Sequence, residues 1–241
     1  ISINTIHNLN KKDCAQALKE ISRVSKKYSF ITVDAYNNDE EKERMFAWNL
    51  TAKTIMSVNQ WKNFFKENPA DGLVNLFALN HHIDSSIDKS SLWTISLDSF
   101  RKYMDINLTA LFSVCREYAR WNVNGSIVNF SSTYGVDSPR KDLYNGEEKH
   151  IGYSVSKAGV LMLSKHLATH LAPNIRVNSI IPGGVFNSQS DDFVDKYSKF
   201  TPMGRMMNNG ELSGMVEFLL SEKSSYVTGA EFKVDGGWTA W

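Results

Sequence analysis

No glycine precedes Gly72. Glycine visits positive φ freely and lets a backbone come close to a ligand, so the first part of the chain holds no glycine-built phosphate loop. Cysteine is scarce too: Cys14 and Cys115 stand far apart and without CxxC spacing. That excludes a disulfide framework, argues against a structural zinc site and fits a reducing cytosol. Charge of one sign is not in excess, with 27 Lys and Arg against 26 Asp and Glu and a formal net charge of +1. Nothing here points to nucleic acid or an anionic membrane as partner. No apolar run reaches the about 18 residues of a membrane span, and no repeat, low-complexity tract or Pro/Ser-rich linker interrupts the chain. The sequence begins at Ile1 with neither Met nor a charged-then-apolar leader. A cytoplasmic location is the expectation, and residues ahead of Ile1 are left open.

The 241 residues suit one α/β domain or two small ones. A domain of this size buries roughly three quarters of its unfolded surface and needs neither disulfide nor metal to hold it. Short β-branched apolar runs alternate with longer amphipathic stretches. Expected strands lie at 30–33, 72–79, 125–130, 176–181 and 231–234, with weaker ones at 1–7 and near 44–50. Expected helices lie at 12–26, 54–68, 97–121, 153–172 and 210–221. Such alternation implies βαβ units around a buried parallel sheet, with ligands beyond the carboxyl ends of the strands. The run GSIVNF at 125–130 is nearly all apolar, as a strand covered on both faces should be.

Tyr153-Ser-Val-Ser-Lys157 places a phenol and an ammonium one helical turn apart on one face. A free tyrosine, with a pKa of about 10, is a poor acid or base at neutral pH; a lysine cation nearby would pull that value down and let the phenol exchange a proton with an alcohol or carbonyl oxygen. With nine tyrosines in the chain a YxxxK arises readily by chance, and a surface helix with a solvated lysine is the plain alternative. The surroundings add weight. Ser132 follows the strand at 125–130 in NFSSTYG, where a hydroxyl could bond a substrate oxygen; it is preferred over Ser131 because S-x-x-G ends at Gly135. Asn107, in DINLTALF, sits inside a long helix, where asparagine is unfavourable without a reason. One reason is to anchor a water that links Lys157 to solvent.

INLTALF, SIVNFSSTYG, YSVSKAG, IRVNSIIPGGV, TPMGRM and VTGAEFKVDGGW occur in the order and at about the spacings seen in short-chain dehydrogenases/reductases. From Asn107 to Trp238 the chain resembles that family closely. The resemblance implies one Rossmann-like, doubly wound α/β domain over residues 1–241, a parallel sheet of about seven strands flanked by helices, and a substrate lid around 186–208. It implies Tyr153 as catalytic acid/base, Ser132 as partner of the substrate oxygen, and Lys157 as electrostatic partner of the phenol and ligand of a ribose, so that Tyr153 and Lys157 also count as cofactor contacts. Asn107 would hold the relay water. Pro182, Gly183 and Val185, in the turn after a strand, would line a nicotinamide, the Val185 main chain facing its carboxamide; the alternative is a simple Pro-Gly turn. Asp235-Gly236-Gly237 reads as architectural.

The family's amino-terminal half opens with a TGxxxGxG turn that brings backbone to a pyrophosphate. Here that place, near 7–13, reads HNLNKKD. Three explanations stand: a degenerate dinucleotide site, phosphate binding through Lys11 or Lys12, or motif residues outside the given sequence. A solvated turn capping the next helix through Asn8 or Asn10 is the plainer reading. Asp34, ending ITVD, could accept from an adenosine ribose and disfavour a 2′-phosphate, which favours NAD(H) over NADP(H); otherwise it starts a turn with Asn37 and Asn38. Asn49 and Leu50 stand where the family has Asp-Val at the adenine edge, and Asn75-Leu-Phe-Ala78 where it has Asn-Asn-Ala-Gly. The stretch between Asp34 and Asn49 is short for a helix.

The long loop DSPRKDLYNGEEKH is similar to one in the family branch linked to flagellin modification and nonulosonic-acid sugars. Its Arg140, Lys141, Lys149 and His150 could bind a phosphate or carboxylate, or form a charged solvent loop. Phe186, Phe193 and Tyr197 are pocket walls or core. Leu111, Leu161, Leu163 and Leu167 could face core or partner subunit, since members of the family form homodimers or homotetramers. His81 and His82 lack a third ligand, so no metal site is expected and a loop position is. Two functions follow. One is an oxidoreductase moving a hydride between a nicotinamide cofactor and a small polar alcohol or ketone, such as a sugar derivative. The other is a non-catalytic binding or assembly protein of the same fold with a degenerate dinucleotide site. The tetrad favours the first; the missing glycines favour the second.

Overall fold

The structure is a computed structural model that describes residues 71–80, 92–144 and 148–241, and before Asp71 only residues 2–3, 12–14, 16–17, 30–31, 35–36, 39, 56–57, 59–60 and 63. The chain divides into two compact units, one of residues 1–71 with 120–122 and one of residues 72–119 with 123–241.

In the first unit, β1 (Ser2–Ile3) pairs in parallel with β2 (Phe30–Ile31), where strands were expected. β3 (Ala35–Tyr36) pairs in parallel with β4 (Met56–Ser57). β4 corrects the expected helix at 54–68, whose described residues become helical only at 59, 60 and 63. The cause is a reciprocal cap: Ser57 N donates to Gln60 Oε1 at 2.8 Å and Gln60 N to Ser57 Oγ at 3.2 Å. Such an S-x-x-Q box closes a helix start, so the residues before it are free to pair as strand. The strand expected near 44–50 and the His81–His82 pair lie outside the described residues.

The second unit runs β5 (Gly72–Asn75), α1 (Leu97–Met104), a π-helical turn (Asp105–Thr109), α2 (Ala110–Trp121), β6 (Gly125–Phe130), α3 (Ile151–Leu171), β7 (Ile175–Pro182), α4 (Asp191–Phe200), α5 (Ser213–Leu220) and β8 (Glu231–Val234). The sheet order is β5-β6-β7-β8, every neighbour parallel. Parallel neighbours need a crossover between them, and helices supply each one. This is a Rossmann-like sheet. Its carboxyl edge is aligned by register: Asn75 stands opposite Asn129, Phe130 opposite Ile180 and Pro182 opposite Val234.

Two boundaries shift by three or more residues from expectation, and one helix is new. The strand expected at 72–79 stops at Asn75 because the chain leaves the sheet to give both polar groups of Leu79 to the Asn107 side chain. The helix expected from Gly210 begins at Ser213, since Gly210 turns at φ +93°. α4 was not foreseen, although its signals are plain: Ser190 Oγ accepts from Phe193 N at 3.4 Å, Asp191 and Asp192 fill the first turn, and Lys196 pairs with Asp192 at 2.7 Å.

The sheet is covered on both faces. Ile127 and Val177 pack against Leu111 and Cys115 of α2 and Val160 and Leu167 of α3. Val128 and Ile180, on the opposite face, pack against Leu219 of α5. Each such fully buried side chain contributes roughly 1.5–3 kcal/mol. Leu111, Leu161 and Leu167 are buried and Leu163 packs on the first cluster, so all four leucines are core. Phe112 of α2 and Val155 and Met162 of α3 are exposed instead.

A polar chain crosses the first cluster. Asn129 Oδ1 accepts from Asn75 Nδ2 at 2.8 Å and from Cys115 Sγ at 3.6 Å, and Asn129 Nδ2 donates to Ser164 Oγ at 2.9 Å. Asn129→Ala strands these buried groups. We expect a loss of about 3 kcal/mol in unfolding free energy, read by urea denaturation; a loss under about 1 kcal/mol would show that the chain is not a stabilising element.

Candidate active site

The sequence-predicted tetrad collects at the carboxyl edge of β6. Asn107 lies in the π turn between α1 and α2 and is buried. An inserted π turn re-aims one side chain in an otherwise continuous helix. Asn107 Oδ1 accepts from Leu79 N at 2.6 Å, while its Nδ2 donates to Leu79 O at 3.1 Å and Ser156 Oγ at 3.0 Å. Ser156 in turn donates to the carbonyl of Tyr153 at 2.9 Å. Both amide protons are thus engaged by protein, and the side chain ties the segment after β5 to the turn of α3 that carries Tyr153. The reason for an asparagine inside a helix is this bridge.

The two serines after β6 separate cleanly. Ser131 Oγ donates to the main-chain carbonyl of Lys157 at 2.7 Å. Ser132 caps the Thr133–Gly135 turn through Tyr134 N at 3.2 Å, and its hydroxyl lies near enough to the Tyr153 phenol to act on its titration. Gly135 is required by close approach: a Cβ there would stand 2.6 Å from Ser131 Oγ and 2.8 Å from Lys157 O. Ser131 therefore serves the α3 backbone, and Ser132 is the serine beside Tyr153.

Tyr153 and Lys157 share one face of α3, 8% and 4% exposed, so desolvation governs both. Lys157 Nζ donates to Phe130 O at 2.7 Å and lies 6.0 Å from the Tyr153 ring centre. Burial pushes the Lys157 ammonium down to about 8. It pushes the Tyr153 phenol up from its ordinary value, only partly offset by the nearby Ser132 hydroxyl and reinforced by Tyr103. This reverses the expectation that Lys157 would lower the phenol. Removal from water costs the phenolate more than an ammonium turned to the Phe130 carbonyl returns. Tyr153 is held as a neutral acid.

Of the cofactor candidates, Asp34, Asn49 and Leu50 lie outside the described residues. Asn75 ends β5, but its side chain is taken up by Asn129 and Cys115, so main chain is what this position can offer a ligand. Pro182 ends β7. A Cβ on Gly183 would meet the Asp235 backbone at 3.0 Å, and one on Gly184 the Tyr197 ring at 2.8 Å. Val185 pairs with Met207 in an isolated bridge, and its carbonyl accepts from Gln189 Nε2 at 3.0 Å. Asp235 caps the turn behind it, accepting from Gly237 N at 3.0 Å and Thr239 Oγ1 at 2.6 Å.

The loop after Ser132 folds over the site. Tyr134 and Tyr144 share a hydrogen bond of 2.5 Å between their hydroxyls, and an aromatic file runs from Tyr144 through Phe193 and Tyr197 to Trp238. Phe193 and Tyr197 are thus packed, while Phe186 is half exposed. The loop cations separate by use. Arg140 lies over the rings of Phe200 and Trp238 at 4.7 and 5.5 Å. Lys141 pairs with Glu148 at 3.5 Å. His150 stacks on Tyr103, bonds Ser99 Oγ and caps α3 at Gly152 N. The Lys149 side chain lies beside the tetrad, with Nζ 5.2 Å from the centre of the Tyr153 ring, and the His150 carbonyl accepts from Tyr153 N at 3.0 Å. Sequence reasoning missed the Tyr134–Tyr144 pair and Ser156, although both lie inside the runs NFSSTYG, DLY and YSVSK that drew attention.

Lys157 also gives a pH signature. Its value falls from 10.5 to about 8 on folding, so the folded chain binds fewer protons than the unfolded one between those values. The resulting penalty is full below about 8, falls as pH rises through the window and vanishes above 10.5. Lys157→Met removes the charge. Its stability relative to wild type should decline as pH rises from about 8 to 10.5, by about 3 kcal/mol. Paired urea titrations check this, and a pH-independent difference would contradict it.

A family model described as enoyl-(acyl carrier protein) reductase matches residues 6–239. The chain is 29% identical over 195 residues to post-translational flagellin modification protein A of Campylobacter coli, covering 78% of this chain and 75% of that one. It is 28% identical to a 3-oxoacyl-(acyl-carrier-protein) reductase of Chlamydia muridarum, over 96% of this chain and 85% of that one. A short-chain dehydrogenase of Leptospira borgpetersenii with bound NAD+ superposes with a TM-score of 0.69 at 30% identity, covering 88% of this chain and 76% of that one. The chain belongs to the short-chain dehydrogenase/reductase family, a family of NAD(P)-dependent oxidoreductases.

Proposed function

We propose that this chain moves a hydride between a nicotinamide cofactor, NAD(H) in preference to NADP(H), and a small polar alcohol or ketone such as a sugar derivative. The observation that carries the reading is a buried, neutral Tyr153 phenol beside Ser132, with the buried Lys157 ammonium on the same helix face, 6.0 Å from its ring centre. Main chain at Gly183 to Val185 and the Lys157 ammonium fit the nicotinamide ribose end of such a cofactor; the bound nicotinamide supplies or accepts the hydride. The chain's own part is the proton. In the reducing direction Ser132 donates a hydrogen bond to the carbonyl oxygen, and Tyr153 gives that oxygen its proton as the carbonyl carbon gains the hydride. Lys157, still largely protonated at neutral pH, steadies the phenolate left behind. The reverse direction runs the same proton back. Asp34 favours a ribose with a free 2′-hydroxyl, and the segment around 186–208, which contains α4, acts as the substrate lid. A non-catalytic member would gain nothing from converging Asn107, Ser132, Tyr153 and Lys157 on one point.

Titration with NADH and NADPH, followed by nicotinamide fluorescence, tests the reading. NADH should bind below millimolar and at least about tenfold tighter than NADPH, and absence of binding by either would favour the non-catalytic alternative. Tyr153→Phe should lower kcat at least about a thousandfold while leaving NADH affinity within a few-fold.

The exposed apolar positions on α2 and α3 support a homodimer or homotetramer built through those helices. No helix among the described residues is long and apolar enough to cross a membrane, and a cytoplasmic location is part of the proposal. Met162→Asp places a charge on that face, 65% exposed in the chain. It should shift the mass seen by light scattering to monomer, and an unchanged mass would remove α3 from the interface.

A further inference from the structure

Pro182-Gly183-Gly184-Val185 puts two glycines in a row at the turn after β7. Each peptide unit is a rigid plane, and consecutive glycines let the plane between them rotate freely. Something has to fix it. Gly183 N donates to Val234 O at 2.9 Å before that plane, and Gly184 O accepts from Met207 N at 2.9 Å after it. The plane itself carries the Gly184 N–H, which donates to the Tyr197 hydroxyl oxygen at 2.5 Å. Tyr197 belongs to α4 and is 5% exposed. Its ring is stacked on Trp238 with centroids 4.3 Å apart and tilted against Phe193 at 6.0 Å, and its carbonyl accepts from Thr201 Oγ1 at 3.0 Å. The hydroxyl adds to this packing a directed bond to the turn. Val185 comes next, with Gly184 O and Phe186 N on either side of it both bonded to Met207. In a parallel bridge of this kind the N–H of Val185 itself points away from Met207.

We propose, resting on the oxidoreductase reading above, that Tyr197 is a positioning residue for the cofactor: its hydroxyl holds the Gly183–Gly184 peptide in one orientation and so presents the Val185 main chain to the nicotinamide. Two features separate this role from packing. A phenylalanine would fill the same space against Trp238 and Phe193, so the aromatic cluster does not call for the hydroxyl. Gly184 also admits no side chain, since a Cβ would stand 2.8 Å from the Tyr197 ring; the absence of one is what lets the hydroxyl reach main chain. A turn ordered in advance spares the cofactor the entropy cost of ordering two glycines on binding.

The test uses Tyr197→Phe, which keeps the ring and removes the oxygen. Calorimetric titration takes whichever of NADH and NADPH binds wild type more tightly and compares it with the same molecule lacking nicotinamide, ADP-ribose or 2′-phospho-ADP-ribose. The dinucleotide should bind the variant about tenfold more weakly than wild type, and the nicotinamide-free ligand should stay within about twofold. A merely structural defect would not separate the two: equal weakening of both, or no change in either, overturns the assignment. Amide hydrogen exchange of the cofactor-free chain reads the bond itself. The Gly184 amide should exchange at least about tenfold faster in Tyr197→Phe, while the Phe186 amide, held by Met207, keeps its wild-type rate. An unchanged Gly184 rate overturns the assignment. Wild type that binds neither dinucleotide sinks the oxidoreductase reading and this role together, whereas dinucleotide binding that is indifferent to Tyr197→Phe sinks this role alone.

Discussion

The ammonium of Lys157, a residue 4% exposed, needs a partner that does not cancel its charge, and the Phe130 carbonyl is that partner, 2.7 Å from Nζ. Burying a charge is expensive unless it is hydrogen-bonded. Here the bond comes from the last residue of β6, where the sheet leaves a carbonyl pointing off its edge. Ser131, the next residue, completes a second tie by donating to the carbonyl of Lys157 itself. Two bonds in opposite directions thus clamp one turn of α3 to the end of one strand. Gly135 permits the approach, since any Cβ there would overlap both Ser131 and Lys157. Once Lys157 is fixed, Tyr153 follows one turn earlier on the same face and meets Ser132.

The same helix is held at further points along its length by polar groups inside the apolar core. Asn107 reaches Ser156, and Asn129 reaches Ser164. Apolar contacts such as Val160 with Ile127 and Val177 supply cohesion but tolerate sliding and repacking. Buried amides do not, because a misplaced one loses its partners outright. The combination explains why so many asparagines and serines lie in the middle of this fold. They set the rotation and height of α3, and hence the aim of the phenol, to within a hydrogen-bond length.

Much of this was legible from the residues. The strand at 125–130 and the helix from 153 carried their signals in apolar content and in the Tyr153–Lys157 spacing, and the glycine of NFSSTYG marks a close approach of that turn to α3. Boundaries set by tertiary bonds were not legible: nothing local to residues 76–79 announces that Asn107 will draw Leu79 off the sheet. The sign of the Tyr153 shift was missed for the same reason. Spacing reveals that a lysine is near a phenol, but burial and the Phe130 carbonyl decide which effect wins, and both depend on residues far away in sequence. The helix α4 and the Ser57–Gln60 box are different, since their caps were present in the sequence and went unread.

The contrast between the glycine-free start and the intact tetrad has a physical resolution in where the bonds run. Among the described residues, the hydrogen bonds that position Asn107, Ser132, Tyr153 and Lys157 begin and end between Gly72 and Trp241. The geometry around Tyr153 is therefore built by β5, β6 and the helices beside them. A glycine turn contributes affinity through backbone N–H groups at a helix start, a contribution separate from the proton chemistry at Tyr153. Loss of affinity and loss of chemistry are separable in such a chain. A weakened hold on the pyrophosphate raises the cofactor concentration the site needs, whereas the step at Tyr153 depends on a clamp between β6 and α3 that is complete in itself.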